Sequence, residues 1–180
     1  MNIDNSLQVF VEMRPSKRLS YHLLNGHDFE LFHKVHTDES IMKYAYDDVF
    51  TTEEEAKLAF DLILTKQDDD EQGTIFVVTE IGSKKAVGYI EYHIRHLHHS
   101  GGIYELSYSI LPEFWGNGYA TEMASNLIDY LFHNYNIHKI TVTCHIDNKR
   151  SESTMKKLLM TKEGIIRKSR YKERMWVDEV

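Results

Sequence analysis

A short glycine-containing segment constrains the fold of this chain more than any other feature, because it joins a predicted strand to a predicted helix. The segment is Trp115-Gly116-Asn117-Gly118-Tyr119-Ala120. Residues 104–110 before it have strand-like alternation, and residues 120–132 after it carry apolar side chains at helical spacing. Backbone N–H groups at such a turn, together with the dipole of the following helix, favour a bound anion. The sequence therefore predicts a cradle for a phosphate or pyrophosphate.

Length, charge and cysteine content set the frame for that prediction. A chain of 180 residues is long enough for a substantial core, and we expect residues 1–180 to form one domain. The formal charge of −7 argues against a nucleic-acid binder and leans towards a cationic substrate. The lone cysteine, Cys144, excludes an internal disulfide and suits a reducing compartment. No stretch resembles a signal peptide or a membrane span, so we expect a cytoplasmic protein without a membrane partner.

The order of predicted elements is that of an α/β domain without repeats or linkers. The patterns predict strands at 18–24, 74–81, 86–95, 104–110 and 139–146, with further strand-like sequence from Ile165. They predict one or two short helices within 29–44, then helices from 51, from 120 and near 151–159. A threonine followed three residues later by glutamate predicts the helix start at 51–55. The acidic run at 68–71 is predicted to be a solvated loop.

Several ligands could use the predicted phosphate cradle. No Lys-Ser or Lys-Thr pair follows the last glycine, which excludes a Walker-type loop. The three spaced glycines after an early strand that mark a dinucleotide site are also missing. A simple glycine turn without a ligand, and a nucleotide site of another kind, remain as alternatives.

The segment and its surroundings resemble motif A of the GNAT superfamily of N-acetyltransferases. Its strand, P-x-x-W-G-x-G-Y-A and helix match the family pattern R/Q-x-x-G-x-G/A, and Trp115 in the first position is typical of the RimJ/RimL ribosomal-protein acetyltransferases. Four further segments resemble the same subgroup in the same order, so the resemblance spans nearly the whole chain. They are Ser16-Lys17-Arg18-Leu19, Tyr104-Glu105-Leu106-Ser107-Tyr108, Asn148-Lys149-Arg150-Ser151, and Glu163-Gly164 with Arg167.

The resemblance implies a fold and a reaction. The fold would be a mixed, mostly antiparallel twisted sheet, flanked by helices and splayed where acetyl-CoA binds. The reaction would move an acetyl group from acetyl-CoA to a primary amine by direct attack in a ternary complex. Acetyl-CoA is then a co-substrate, no metal is expected, and the protein would be a monomer or a homodimer.

The resemblance also assigns the CoA-binding residues. Backbone N–H groups of the glycine segment would take the pyrophosphate, and the end of the preceding strand would pair with the pantetheine amides. A bulge in that strand would aim the N–H of Ile110 or Leu111 at the thioester oxygen. The complete set is Ser109, Ile110, Leu111, Trp115, Gly116, Asn117, Gly118, Tyr119, Ala120, Thr121 and Asn148.

Two residues are candidates for proton chemistry. Glu105, Ser107 and Ser109 share one face of a predicted strand, and a polar face suits a cleft, so Glu105 is the candidate base, acting through a water. The alternative is a glutamate held by a structural partner. Many family members carry a tyrosine that acts as the general acid, but this chain has Met155 at that position. Ser151 matches a serine that the RimL-like subgroup offers instead, so it is the candidate acid. Its alternative role is to cap the helix that begins near Asn148.

Two other features depart from familiar patterns. Leu159 replaces a glycine that family members usually have, which suggests a longer or differently ended helix. Four histidines lie close together in the sequence, but no cysteine or well-spaced carboxylate accompanies them. We therefore expect a loop between strands and no metal site. The four are His93, His96, His98 and His99.

The acceptor amine is the least determined part of the prediction. An α-amino group has a pKa of about 7.8, so about a third is neutral near pH 7.5, whereas lysine needs a stronger base. One carboxylate base and no tyrosine acid favour a peptide N-terminus, an amino acid or another small amine of low pKa. Polyamines and aminoglycosides suit the acidic charge balance and remain an alternative. A non-catalytic acyl-CoA-binding or regulatory module is the alternative of another class.

Overall fold

The sheet at the centre of the molecule is built from five consecutive strands. A computed structural model describes residues 12–46, 48–67 and 73–180, so the predicted loop at 68–71 lies outside the described residues. Neighbours in the sheet follow the chain order, antiparallel from the first strand to the fourth and parallel between the fourth and the fifth. The strands are β1 (Leu19–Leu23), β2 (Gly73–Glu80), β3 (Ala86–His96), β4 (Gly102–Ile110) and β5 (Ile137–Thr141).

Helices cover the two faces of the sheet unequally. One core cluster joins the buried side of the helix after the glycine segment to the sheet, through residues such as Met123, Leu127 and Ile90. A second cluster joins the first and third helices to the opposite face, around Val35, Phe60 and Val77. This arrangement confirms the predicted mixed, mostly antiparallel α/β fold flanked by helices. The helices are α1 (Phe29–Thr37), α2 (Glu39–Met42), α3 (Glu53–Gln67), α4 (Tyr119–Asn134) and α5 (Lys149–Lys157).

Local sequence signals explain where several helices begin. The Thr52 hydroxyl accepts a hydrogen bond from the Glu55 N–H at 3.2 Å, and the Glu55 carboxylate accepts one from the Thr51 N–H at 3.0 Å. The predicted capping pattern is therefore present, but its two hydrogen bonds involve two neighbouring threonines. Asp38 caps α2 by accepting the Ser40 N–H at 2.9 Å. None of the helices among the described residues is long and apolar enough to cross a membrane.

The sheet opens between β4 and β5. The two strands pair from Gly102 with Ile137 to Glu105 with Thr141, after which β4 continues to Ile110 against β3 alone. The predicted strand at 139–146 therefore ends early. Its second half turns to the end of the chain instead, because the N–H groups of Cys144 and Ile146 bond the carbonyls of Val180 and Asp178, both at 3.0 Å.

The end of the chain forms a separate hairpin. Its strands, β6 (Ile166–Lys172) and β7 (Met175–Glu179), pair with each other in a two-stranded sheet. The hydrogen bonds to Cys144 and Ile146 attach β7 to the segment that leaves β5. The opening between β4 and β5 is thus bordered on its far side by the hairpin.

One residue of the predicted core stripe on α4 lies outside the core. Met123, Ala124, Leu127 and Leu131 are buried as predicted, but Phe132 is 51% exposed. Phe132 lies in the last turn of the helix, where Leu131 already occupies the buried side.

The end of α5 keeps a left-handed residue although the usual glycine is absent. Leu159 has φ 59°, its N–H bonds the Lys156 carbonyl, and the Met160 N–H bonds the Met155 carbonyl, both at 3.1 Å. These two bonds define a Schellman motif. The substitution has therefore not lengthened the helix, and a leucine side chain that is 90% exposed occupies a position suited to glycine.

We predict that Leu159→Gly stabilises the protein. Relief of the left-handed backbone outweighs the extra freedom of glycine in the unfolded chain, so the free energy of unfolding should rise by about 1 kcal/mol, or about 2–4 °C in Tm. Urea unfolding measures the change, and Leu159→Ala is the control because it keeps the Cβ. Equal stabilities of the two variants would contradict the prediction.

Candidate active site

A cavity of about 630 Å³ occupies the opening between β4 and β5. The polar face of β4, with Glu105, Ser107 and Ser109, belongs to its lining. Trp115 and Ala120 of the glycine segment line the same cavity, as do three residues at or just before α5, which are Asn148, Arg150 and Ser151. Both residues assigned to proton chemistry, and five of the eleven assigned to the cofactor, therefore line one cavity. The other six cofactor residues are not part of its lining, and they are Leu111, Gly116, Asn117, Gly118, Tyr119 and Thr121.

The glycine segment forms a turn that leads directly into α4. Gly116 and Gly118 have φ values of 79° and 80°, and Gly118 is the N-cap of the helix. A Cβ at Gly116 would meet nothing within 4 Å, and one at Gly118 only Arg18 Nη2 at 3.7 Å. Glycine is therefore required first by the left-handed backbone. The N–H groups at the start of α4 have no partner within the helix and are available to an anion.

A hydrogen-bonded brace holds this turn and the start of α4. Glu122, in the first turn, accepts the Ser16 hydroxyl at 2.8 Å and both the backbone N–H and the side-chain Nε of Arg18 at 2.7 Å. Arg18 Nη1 donates to the Asn117 carbonyl at 3.0 Å. Burial favours a raised pKa for Glu122, but these hydrogen bonds outweigh it and hold the pKa below the ordinary value. The brace explains the S-x-R-L segment that precedes β1.

Trp115 links the glycine turn to the open edge of β4. Its indole Nε1 donates to the Ile110 carbonyl at 2.7 Å, and the Arg150 guanidinium stacks 3.6 Å above its ring. The Asn117 side chain donates to the Phe114 carbonyl at 3.1 Å and closes the turn. Arg150 was not predicted as a site residue, because nothing in the sequence indicates its contact with Trp115.

Of the two predicted oxyanion donors, the N–H groups of Ile110 and Leu111, only that of Ile110 points towards the opening. The Leu111 N–H already donates to the Val87 carbonyl at 2.9 Å. Alternation along an antiparallel pair then turns the N–H of Ile110 away from β3 and towards the opening. The expected bulge is not found in this part of β4, whose register with β3 is regular from Tyr104 to Ile110. The register shift lies between Ile94 and His96, where a bulge re-aims Arg95.

Glu105 is buried in the cavity wall and has a partner on each oxygen. Oε1 accepts the Thr143 hydroxyl at 2.6 Å, and Oε2 receives the Arg95 guanidinium. Since Thr143 donates its only proton to Glu105, the hydroxyl of Tyr46, 2.5 Å from Thr143 Oγ1, must be the donor in that contact. This is the arrangement of a glutamate with structural partners, so its role as a base stays a prediction.

Ser151 lies at the N-terminus of α5 without capping it. The cap is Asn148, whose Oδ1 accepts the Ser151 N–H at 3.1 Å. The Ser151 hydroxyl is instead 3.0 Å from that of Tyr108 on β4, and both residues line the cavity. Burial raises the pKa of Tyr108 and also that of the Cys144 thiol, so both keep their protons near neutral pH.

The histidine group divides between β3 and the loop after it. His93 lines the cavity, and its interaction with the Glu91 carboxylate, 3.6 Å away, raises its pKa. The rings of His98 and His99 lie 4.0 Å apart. Within the described ranges, no group of three or more His, Cys, Asp or Glu side chains could hold a metal ion.

Comparison with known proteins decides the family. A family model described as an acetyltransferase (GNAT) domain matches residues 18–161. A Bacillus subtilis (strain 168) protein, the uncharacterized N-acetyltransferase YnaD, is 32% identical over 164 residues, which is 91% of each chain. The chain belongs to the GNAT acetyltransferase family.

A further relative and a solved structure are also similar to this GNAT protein. The spermidine N(1)-acetyltransferase of Vibrio cholerae serotype O1 is 25% identical over 83% of this chain and 82% of its own length. The solved structure of the ribosomal-protein acetyltransferase RimL, in complex with coenzyme A, has a TM-score of 0.80 at 14% identity and covers 93% of both chains. The likeness to RimL is one of fold, and it confirms the splayed GNAT architecture.

We predict that Glu122→Gln weakens the brace. Loss of the charged acceptor should lower the free energy of unfolding by about 1–2 kcal/mol near pH 7. Because the folded-state pKa of Glu122 is depressed, this stabilisation is present above the unfolded pKa and is lost as pH falls through the folded pKa.

Urea unfolding of both proteins between about pH 7 and about pH 3 measures the difference. Glu163→Gln, which removes an exposed ion pair with Lys139, is the control and should cost less than about 0.5 kcal/mol. A difference for Glu122→Gln that stays constant over this pH range would be inconsistent with the brace.

Proposed function

We propose that this GNAT protein is an acetyl-CoA-dependent N-acetyltransferase that acts on a primary amine by direct attack in a ternary complex. The acceptor would be a peptide or protein N-terminus, an amino acid or another small amine. The observation that carries the proposal is the continuity of the opening between β4 and β5 with the glycine turn of α4. We further propose a single domain over residues 1–180, in the cytoplasm, as a monomer or homodimer.

The residues present fit coenzyme A along its length. The N–H groups that begin α4 suit its pyrophosphate, and Arg150 beside Trp115 adds a cation at the same end. The open edge of β4 suits the pantetheine amides, with Asn148 Nδ2 as a further donor because its Oδ1 is held by the cap. The N–H of Ile110 suits the thioester oxygen. Acetyl-CoA supplies the activated acetyl group.

The attacking amine has to lose a proton during the reaction. An α-amine with a pKa of about 7.8 is about a third neutral near pH 7.5, so a weak base is sufficient. Glu105 is the candidate base, acting through a water, although Arg95 and Thr143 already hold its oxygens. At the leaving group, Ser151 would donate a hydrogen bond to the thiolate while Tyr108 donates to Ser151.

Release of free thiol from acetyl-CoA over a panel of amines tests the function directly. The panel contains peptides with free N-termini, amino acids, spermidine and an aminoglycoside. Thiol release that depends on at least one amine is expected. Binding of acetyl-CoA without transfer to any amine would instead support a non-catalytic acyl-CoA module. The 25% identical Vibrio cholerae spermidine acetyltransferase makes polyamine acetylation the second candidate.

We predict that Gly118→Ala impairs acetyl-CoA binding while leaving the chemical step largely intact. The left-handed N-cap strains any residue with a Cβ, and the N–H groups at the start of α4 lose their alignment. The KM for acetyl-CoA should rise about tenfold, equivalent to about 1.4 kcal/mol, with kcat changed less than about twofold. Gly164→Ala is the matched control, since a Cβ there meets nothing within 4 Å. Equal KM values for both variants would count against the cradle.

We predict that Ser151→Ala lowers kcat about tenfold or more without raising the KM for acetyl-CoA, because the thiolate loses a donor that acts in the transition state. Tyr108→Phe should lower kcat by a smaller factor, since Ser151 can still donate.

Glu105→Gln in the same assay separates the two possible roles of Glu105, as a base and as a structural partner of Arg95. A large loss of kcat with unchanged stability indicates a base, and a loss of stability indicates a partner of Arg95.

A further inference from the structure

The charge of the cavity is opposite to the charge of the chain. Although the protein carries a formal charge of −7, the Lys and Arg side chains that line the cavity outnumber the carboxylates within the described part of the chain. The carboxylates are Glu91 and Glu105, and the cations are Lys66, Arg95, Arg150 and Arg170. The acidic excess of the sequence is therefore not concentrated where the substrate binds.

Two of these arginines already have defined partners. Arg150 stacks on Trp115 at the proposed CoA end of the cavity, and Arg95 binds the carboxylate of Glu105. Arg170 comes from β6 and is only 6% exposed, and its ion pair with the buried Glu179 is longer than a hydrogen bond, at 3.6 Å.

The Arg170 guanidinium is buried with most of its hydrogen-bonding capacity unused. Nη1 donates to the Tyr44 carbonyl at 3.2 Å. Nε forms a buried ion pair with Glu179 Oε1 at 3.6 Å, which is too long for a hydrogen bond, and Nη2 has no hydrogen-bond partner among the described residues. Buried arginine N–H groups are normally satisfied. A guanidinium in a cavity wall with free donors is suited to an oxygen ligand that enters the cavity.

Arg170 shares a wall with the residues assigned to the amine. Its Cζ lies 4.4 Å from the centre of the Tyr46 ring, which is half exposed. The Tyr46 hydroxyl contacts Thr143, and Thr143 contacts Glu105. A small molecule whose amine is close to Glu105 could therefore reach Arg170 with a second group after displacing the Tyr46 ring.

We propose that Arg170 binds a carboxylate of the acceptor, so that the substrate is an amine that also carries a carboxylate, such as an amino acid or a short peptide. The proposal rests on the proposed acetyltransferase function and names its substrate class. A guanidinium binds a carboxylate through two parallel N–H bonds, which suits a group with unused donors. A polyamine would bring a second cation towards Arg170 and be repelled.

Matched pairs of amines test the substrate class. The pairs are glycyl-leucine with glycyl-leucinamide and γ-aminobutyrate with butylamine, and spermidine is added as a polyamine. In the thiol-release assay, kcat/KM should be at least about tenfold higher for the carboxylate member of a pair. A ratio near one in both pairs, or a higher kcat/KM for spermidine, overturns the proposal.

Variants at Arg170 test whether this residue causes the preference for amines that carry a carboxylate. Arg170→Gln should reduce the ratio within a pair to about one, and Arg170→Lys should retain part of it. The KM for acetyl-CoA should not change. Differences in amine pKa between substrates do not affect this test, because kcat/KM for each substrate is compared between the wild-type protein and a variant. Arg167→Gln, on the exposed part of the same strand, is the control and should keep the full ratio. An unchanged ratio in both Arg170 variants overturns the proposal. If Arg170→Gln does not fold, Arg170→Lys and the wild-type pairs decide.

A binding measurement separates this proposal from the proposed function. Calorimetric titration of glycyl-leucine and glycyl-leucinamide into CoA-saturated protein requires no turnover. Binding of glycyl-leucine alone, weakened at least about tenfold by Arg170→Lys, supports the carboxylate site even if no amine is acetylated. Acetylation of amines with equal binding of both dipeptides overturns the carboxylate site and leaves the acetyltransferase function standing.

Discussion

The loss of pairing between β4 and β5 beyond Glu105 and Thr141 is the constraint on which the site depends. From that point the inner edge of β4 presents main-chain groups without a strand partner, and such groups must find other partners when they are buried. Trp115 satisfies the Ile110 carbonyl. The remaining edge is suited to a ligand with amides, and the segment after β5 bonds to the end of the chain through Cys144 and Val180 instead of to β4.

The opening would be of little use without a fixed phosphate site at its end. In the proposed function the glycine turn supplies that site, and the brace of Ser16 and Arg18 on Glu122 fixes the turn against the first strand. Residues more than a hundred positions apart in the chain thus hold the turn against the first strand, while Trp115 ties it to the end of β4. This coupling gives a physical reason for the S-x-R-L segment, which has no contact with the reacting groups in the proposed mechanism.

Sequence reasoning succeeded where the signal was local. The strand, the glycine turn and α4 follow from consecutive residues, and the polar face of β4 follows from alternation at Glu105. It failed where distant segments meet. The bulge that turns Arg95 towards Glu105 has no local signature, and Arg170 reaches the cavity only because the last hairpin attaches beside Cys144. Leu159 shows the opposite, because the left-handed conformation at the end of α5 is kept although the usual glycine is absent.

We propose that the glycine turn and the open edge of β4 form one binding site for coenzyme A. Calorimetric titration of the protein with acetyl-CoA, CoA and NAD tests it most directly. We expect one site per chain for acetyl-CoA and for CoA. Binding of NAD should be at least about a hundredfold weaker, because its second nucleoside cannot pair with a strand edge as the pantetheine amides can. Tight binding of NAD without binding of either coenzyme A form would contradict it.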